Sequence, residues 1–225
     1  MPERNIHVYE LGLTNYSEVH LLQQRLQGKR RDGAGLDSLL LTEHHPVFTL
    51  GRSHPEPDFR ASPEAVAEAA IPVVETERGG DITYHGPGQL VAYGIIDLRQ
   101  WDLSVLDYVD GLEETVVRVL SDWGLVGDRK AGARGVWIKD AKVASLGLNV
   151  RRWVTMHGVA INVNPNLEHF GLINPCGLRD VEMSSMVGQI GKRVQMEHVA
   201  ESYVYHFSHV FEAECNMVQL AATGT

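Results

Sequence analysis

The alternation of apolar and polar residues changes period along the chain, and each change predicts an element. Ile6 to Leu11 reads as a strand, and Ser17 to Gln27 as a helix with Val19, Leu22 and Leu26 on one face before Gly28 ends it. The run GKRRDGAG that follows is a loop, and Leu39 to Leu41 and Val47 to Leu50 are short strands interrupted by Glu43-His44-His45-Pro46. Ser62 with Pro63 behind it is an N-cap with proline in the first helical position, opening a short helix to Ala70; Ile71 to Val74 returns as a strand. Ser104 to Trp123 places Val105, Val109, Leu112, Val116, Val117 and Leu120 at helical spacing and stops at Gly124. Val136 to Ile138 and Val143 to Val150 predict a hairpin through Lys139-Asp140, with Trp153 to Val163 as a third strand. Glu197 to Glu212 is a last helix, and Cys215 falls in a helical tail. Helices interleaved with hairpins predict an α/β or α+β fold, a mixed sheet with packed helices, in a single domain over residues 1–225.

One stretch breaks these rhythms. Between Glu77 and Leu98, Gly79, Gly80, Gly86, Gly88 and Gly94 alternate with Arg78, Asp81, His85 and Gln89. Gly86-Pro87-Gly88-Gln89 fits a type II turn, proline fixing φ at the second position and glycine supplying φ > 0 at the third. Ile82, Thr83 and Tyr84 precede the turn as β-formers, and nearly continuous apolar residues from Leu90 to Leu98 follow it. The expectation is a hairpin of strand, tight turn and buried strand. Polar groups set in a glycine-rich turn suit ligand binding better than packing.

Composition narrows the class without changing the elements. With 44% hydrophobic and 22% charged residues the chain can build its own core, and two cysteines cannot form a disulfide framework. The N-terminus lacks an apolar leader segment and no apolar run is long enough to span a bilayer, so a cytoplasmic protein without a membrane partner is expected. A net charge of −9 argues against nonspecific nucleic-acid binding. Against that sum, Arg129 to Arg152 carries seven bases and the single acid Asp140, a net +6 over 24 residues, which predicts a basic patch able to dock an acidic partner.

The chemistry begins with absences: no P-loop, no strand-anchored G-x-G-x-x-G, no H-E-x-x-H, no G-x-S-x-G and no C-x-x-C. His44, His45, His54 and His85 are numerous enough to consider as metal ligands, but their spacing matches no metal motif, and no metal is expected. Cys176 lies in Ile173-Asn174-Pro175-Cys176-Gly177, a loop whose proline and glycine fix the backbone around a candidate nucleophile; a lone loop cysteine is otherwise more often structural. Lys142 sits among Ala141, Val143 and Ala144, an unusual setting for an exposed lysine. A nearby ammonium favours a thiolate, and thiolate is the attacking form.

RGGDITYHGPGQL, from Arg78 to Leu90, resembles the signature of the octanoyltransferases of lipoate biosynthesis, the lipoyl(octanoyl) transferases; Gly94 stands where that family usually has proline. PCG at Cys176 resembles the family's acyl-accepting cysteine, and AKVASLG at Lys142 the lysine that assists it. The resemblance implies the mixed-sheet fold of the biotin and lipoate protein ligases. It implies Cys176 and Lys142 as catalytic residues, and Arg78, Gly79, Gly80, Asp81, Ile82, Thr83, Tyr84, His85, Ser145, Leu146, Gly147, Gly158, Val159 and Ala160 as substrate-binding residues, the last six as small or apolar acyl contacts. The implied reaction moves octanoyl from octanoyl-acyl carrier protein to Cys176. From there it passes to a lysine ε-amine of apo lipoyl domains in 2-oxoacid dehydrogenase complexes or the glycine-cleavage H protein, without a cofactor. The alternatives are an ATP-dependent lipoate or biotin ligase, which needs no cysteine, and a non-catalytic acyl-binding module. Small residues at Gly79, Gly80, Gly147, Gly158 and Ala160 are expected to leave room for the alkyl tail.

Overall fold

In the computed structural model, which describes residues 4–53, 57–174 and 181–219, the strands separate into two sheets. The larger holds eight strands in the order β11 (Glu214–Met217), β1 (Asn5–Thr14), β2 (Asp37–His44), β6 (Gln89–Ile95), β10 (Val154–Asn162), β9 (Ala141–Arg151), β8 (Ala133–Ile138) and β7 (Asp128–Lys130). β11, β1 and β2 pair in parallel and the remaining neighbours are antiparallel, so the sheet is mixed as expected. The smaller sheet is β4 (Val73–Glu75), β3 (Val47–Leu50) and β5 (Ile82–His85). Around them run α1 (Tyr16–Arg31), α2 (Pro63–Ala69), α3 (Val105–Asp122), α4 (Met186–Ile190), α5 (Met196–Phe211) and a 3-10 turn at Leu167–Leu172. Among the described residues no helix is long and apolar enough to cross a membrane.

Strand alternation splits the core in two. On β6, Leu90 and Ala92 join the cluster beneath α3 and α5, while Val91, Tyr93 and Ile95 face Tyr16 and Val19 of α1 on the other side. Ser104 caps α3 through the Asp107 amide and Asp107 bonds back to Ser104, which explains why that helix starts where its sequence says. Ser62 caps α2 in the same manner through Ala65.

Several expectations need correction. α1 does not end at Gly28 but continues to Arg31, because buried polar anchors hold its last turn. Gln27 donates to the Val154 carbonyl at 3.0 Å, and Arg30 donates to Asp37 at 2.6 Å, a carboxylate that also accepts the Trp101 indole at 2.7 Å. The type II turn is present, with Gly88 at φ +87° and the Gln89 amide on the Gly86 carbonyl at 3.1 Å. The strands it joins are not hairpin partners, since β5 pairs with β3 in the small sheet and β6 with β2 and β10 in the large one. The turn thus stitches two sheets together. Cys215 lies in strand β11, opposite Ile6, and the chain's described ends are strands, not helices.

The basic run does not become one patch. Arg129 pairs with Glu114, Lys130 with Asp140, and Arg134 with Asp110 and Glu113, while Lys142 is buried. Lys139 and the Arg151-Arg152 turn stand at opposite ends of β9, roughly 35–40 Å apart at the usual rise of a strand. The acids of α3 neutralise what lies between.

Candidate active-site cleft

The loop between β4 and β5 is pinned from two sides. The Arg78 guanidinium donates to the Thr49 hydroxyl at 3.1 Å and to the Gly79 carbonyl at 3.0 Å, and the Gly79 amide donates to the Leu148 carbonyl of β9 at 2.8 Å. Gly80 takes φ +84°, and its carbonyl lies so close to Gly51 that any Cβ there would sit 2.2 Å away. Behind the loop, β5 alternates: Ile82 and Tyr84 fill the core of the small sheet with Phe48 and Phe170, while Thr83 and His85 face a cleft against β6, β9 and β10.

That cleft is narrow and open to solvent. Its wall includes nine residues expected from sequence: Arg78, Thr83, His85, Ser145, Leu146, Gly147, Gly158, Val159 and Ala160. Gly79, Gly80, Asp81, Ile82 and Tyr84 do not line it; they build its support. Tyr16, Val91, Tyr93 and His157 line it without having been anticipated. Tyr16 belongs to a helix whose amphipathic face gave no chemical signal, and His157 lies within a stretch that reads only as a strand. The glycines differ in role. At Gly158 a Cβ would lie 2.1 Å from the Ala92 carbonyl, so its missing side chain answers strand packing and leaves no space for an alkyl tail. At Gly79 the nearest atom would be 3.5 Å away, an ordinary contact.

Lys142 reaches the same sheet face by an irregularity. Along β9, Ala144 pairs with Ile161 and Leu146 with Val159, all on the apolar face toward α3 and α5. Strict alternation would put Lys142 there as well. The β8–β9 register instead shifts between Val136↔Ala144 and Trp137↔Lys142, leaving Val143 as an extra residue and turning Lys142 to the face of Ser145 and Gly147. The lysine is 2% exposed, with Nζ 5.4 Å from the centroid of the Trp137 ring. Its stem fits because Gly135, at φ +127°, has no Cβ: one would stand 2.3 Å from Lys142 Cε. Gly135 is itself held by Glu113, a buried carboxylate of α3 that accepts its amide at 2.8 Å. Neither Gly135 nor Glu113 was legible as part of the lysine's environment. Cys176 lies outside the described residues, as do Pro175, Gly177 and His54.

A buried polar chain runs from the cleft toward the lysine. His85 Nδ1 lies 2.6 Å from Gln89 Oε1; the Gln89 amide donates to the Tyr84 carbonyl and to Asn162 Oδ1, and Asn162 donates to the Ser184 carbonyl. The Ser184 amide in turn donates to the Lys142 carbonyl at 2.8 Å. Because Gln89 uses its nitrogen elsewhere, its oxygen must accept, which places the His85 proton on Nδ1 and leaves Nε2 an acceptor. Burial, with His44 nearby, lowers the His85 pKa to about 3, and burial lowers that of His44 to about 4. Both imidazoles are neutral at physiological pH. Burial also raises the Tyr16 and Tyr93 hydroxyls above their usual range, so they act as hydrogen-bonding groups and not as phenolates. Beside them Glu77 is held well below the usual carboxylate range by His157 and, against some desolvation, by His20.

With this geometry in hand the chain can be compared with known proteins. Residues 15–208 match the family described as the lipoyl protein ligase A/B catalytic domain. The chain belongs to that family. It is similar to a protein named octanoyltransferase from Syntrophobacter fumaroxidans, 45% identical over 211 residues that cover 94% of this chain and 92% of the relative. Another so named, from Solibacter usitatus, is 40% identical over 94% of this chain and 95% of its own. Among solved structures, a lipoate-protein ligase A bound with ATP superposes with a TM-score of 0.74 at 14% identity, over 98% of this chain and 90% of that one, a likeness of fold. The mixed sheet with packed helices is therefore the fold of the lipoate protein ligase family. In that family setting, one sheet face of this chain carries the cleft, the pinned glycine loop and, outside the cleft's lining, a buried lysine.

Proposed function

We propose that this chain is an octanoyltransferase of protein lipoylation that works through an acyl-enzyme on Cys176. The Cys176 thiolate attacks the carbonyl of an octanoyl thioester on acyl carrier protein; the new C–S bond forms as the carrier's C–S bond breaks, and the carrier leaves as a thiol after taking a proton. The ε-amine of a lysine on an apo lipoyl domain, of a 2-oxoacid dehydrogenase or the glycine-cleavage H protein, then forms the amide. In that step the bond to Cys176 breaks as the amine's proton passes to neutral Lys142, and the sulfur leaves as a thiolate. Lys142 serves as the ammonium that favours the thiolate and, once neutral, as the base for the incoming amine. No nucleotide enters either step. The whole chain, 1–225, acts as one catalytic domain.

The observation that carries this reading is the turning of Lys142 out of the core face by the β9 irregularity, into space kept open by Gly135. A buried lysine placed by a break in register is costly unless it is used. The relatives named octanoyltransferases, at 40–45% identity over most of the chain, support the acyl group and the transferase class. Cys215 is the weaker nucleophile, because burial raises its thiol pKa to about 11. Arg78, the small residues at Gly147 and Ala160, and the backbone of Leu146 and Val159, whose side chains face α3 and α5, supply the acyl-binding wall.

Intact mass after mixing with octanoyl-acyl carrier protein tests the proposal. One octanoyl is expected on Cys176, released on adding apo lipoyl domain and absent from Cys176→Ala. An adduct on Cys215, or undiminished transfer by Cys176→Ala, would sink the covalent route; transfer that required ATP and free octanoate would assign the ligase reading instead.

A further inference from the structure

Beside the cleft, three side chains from three elements converge: His20 on α1, Glu77 on the loop after β4, and His157 on β10. Their ligand atoms all lie within 4.8 Å of one another. His20 Nε2 is 2.8 Å from Glu77 Oε2, and His157 Nε2 is 3.8 Å from the same oxygen. These are not the histidines the sequence had put forward as metal candidates, and the three positions lie far apart in the chain, so no spacing motif could flag them.

Two independent features of His157 ask for a ligand. Its side chain is 2% exposed, yet Nε2 has no hydrogen-bond partner among the described residues; the Glu77 oxygen it faces is too distant for one. Its backbone stands at φ +63° in the middle of a strand, with its amide drawn to Gln23 Oε1 of α1 at 2.9 Å. A non-glycine residue in the left-handed region costs energy and persists where its surroundings enforce it. Here the twist aims the ring off the strand at Glu77 and His20, whose ring stacks at 5.6 Å between centroids.

We propose that His20, Glu77 and His157 form a binding site for a divalent transition metal ion of the zinc class. Two imidazoles and one carboxylate are a donor set for such ions and a poor one for magnesium or calcium, which prefer oxygen. Tetrahedral zinc with bonds of about 2.0–2.1 Å needs donor atoms roughly 3.3 Å apart, and the observed 2.8 and 3.8 Å separations bracket that value. The two imidazole nitrogens start within 4.8 Å of each other, so side-chain rotation closes the set and leaves the fourth position for water. An ion there ties α1, the glycine-loop segment and β10 together at the cleft wall. It is independent of the acyl chemistry, and octanoyl transfer neither requires it nor proves it.

Zinc is titrated against a chromophoric chelator into the full-length chain carrying Cys176→Ala and Cys215→Ala, so that no thiolate contributes. One zinc per chain is expected, at least tenfold weaker after His20→Asn and after Glu77→Gln. Zinc should also raise the melting temperature of the parent and not of His20→Asn. Asparagine keeps a donor toward Glu77, so the metal-free melting temperature of His20→Asn should match the parent and show that the fold is intact. Cobalt should give an intense tetrahedral visible spectrum that His20→Asn abolishes. Failure to retain zinc, affinity untouched by both substitutions, or magnesium binding as tightly as zinc would each overturn the site.

Discussion

The two faces of the large sheet are made by the same strands and do opposite things. Toward α3 and α5, alternate residues of β6 and β10, Leu90, Ala92, Val159 and Ile161, meet Trp101, Tyr203, Phe207 and Phe211 in a cluster that is almost wholly apolar. Toward α1 and the small sheet, the intervening positions meet Tyr16, His44, His85 and His157, with Tyr93 bridging to His44 at 2.8 Å. The first face stabilises, through area removed from water. The second keeps histidines neutral and a carboxylate charged in a half-closed cleft, which opposes folding and prepares chemistry. A sheet can carry both because a strand exposes successive side chains to opposite sides, so neither face dictates the other's composition.

The sharpest way to break that division is to damage one face and read the other. Phe207→Ala, on a fully buried ring, should cost about 3–5 kcal/mol in urea unfolding while the folded fraction transfers octanoyl at a nearly unchanged rate. A large fall in single-turnover rate at low temperature would mean that the faces are mechanically coupled.

On the cleft side, Gly135→Ala should push Lys142 from its slot and reduce acyl-enzyme formation about a hundredfold, roughly 2.7 kcal/mol, together with a loss of stability, since its Cβ would also stand 2.5 Å from the Ala144 carbonyl at a φ of +127°. Lys142→Met should do at least as much, and Lys142→Arg, which keeps charge but cannot exchange a proton near neutrality, somewhat less. Wild-type rates in Gly135→Ala would show that the lysine needs no such slot.

The pH dependence of stability should come from the cleft face. His44 and His85, with pKa values lowered to about 4 and about 3, refuse protons that the unfolded chain accepts below its ordinary 6.5. Their stabilising contribution is complete above pH 6.5 and is lost as pH falls from there toward 4 and 3, by at most about 1.4 kcal/mol per pH unit for each. They face each other at 5.9 Å, with Tyr16 stacked on His85 and Tyr93 against His44, so the two losses should be coupled. Urea midpoints between pH 7 and 5 should flatten in His44→Gln with His85→Gln; an unchanged slope would locate the protons elsewhere.

A smaller effect should separate the cleft's two ends. Shortening the donor from octanoyl to hexanoyl removes two methylenes, about 1.6 kcal/mol or roughly tenfold in kcat/KM. Gly79→Ala, whose new methyl would make an ordinary contact, is a better probe of tail length than Gly158→Val, which would drive a side chain into the β6 backbone. If acyl preference is the same in wild type and Gly79→Ala while Ser145→Val alters it, the tail lies along β9 and not under the glycine loop. Least of all, Cys215→Ala should change transfer little, since that thiol sits in edge strand β11 beside Ile6.

The local grammar of the chain was legible, and the places where it misled share a cause. The caps of α2 and α3 and the type II turn at Gly86–Gln89 follow from residues within four positions of one another, so sequence order contains the whole interaction. Gly28 failed to stop α1 because Gln27 and Arg30 find partners at Val154 and Asp37, contacts outside any local window. Gly94, unusual in place of proline, makes room for the Tyr108 hydroxyl, which would lie 2.1 Å from a Cβ; only packing reveals that pair. The basic run from Arg129 to Arg152 looked like a docking patch until α3 supplied its acids.

By itself, then, the sequence determined most of the helices and strands, where the glycine turn lies, and through its motifs which family and which residues to examine; all of these depend on neighbours along the chain. Only tertiary structure decided which way those residues face. The register shift that turns Lys142 to the cleft is a mismatch in length between β8 and β9. The parting of β5 from β6 depends on which strands compete for their edges. The meeting of His20, Glu77 and His157 requires α1, a loop and β10 to arrive at one point, and no periodicity within a single segment encodes a coincidence among three.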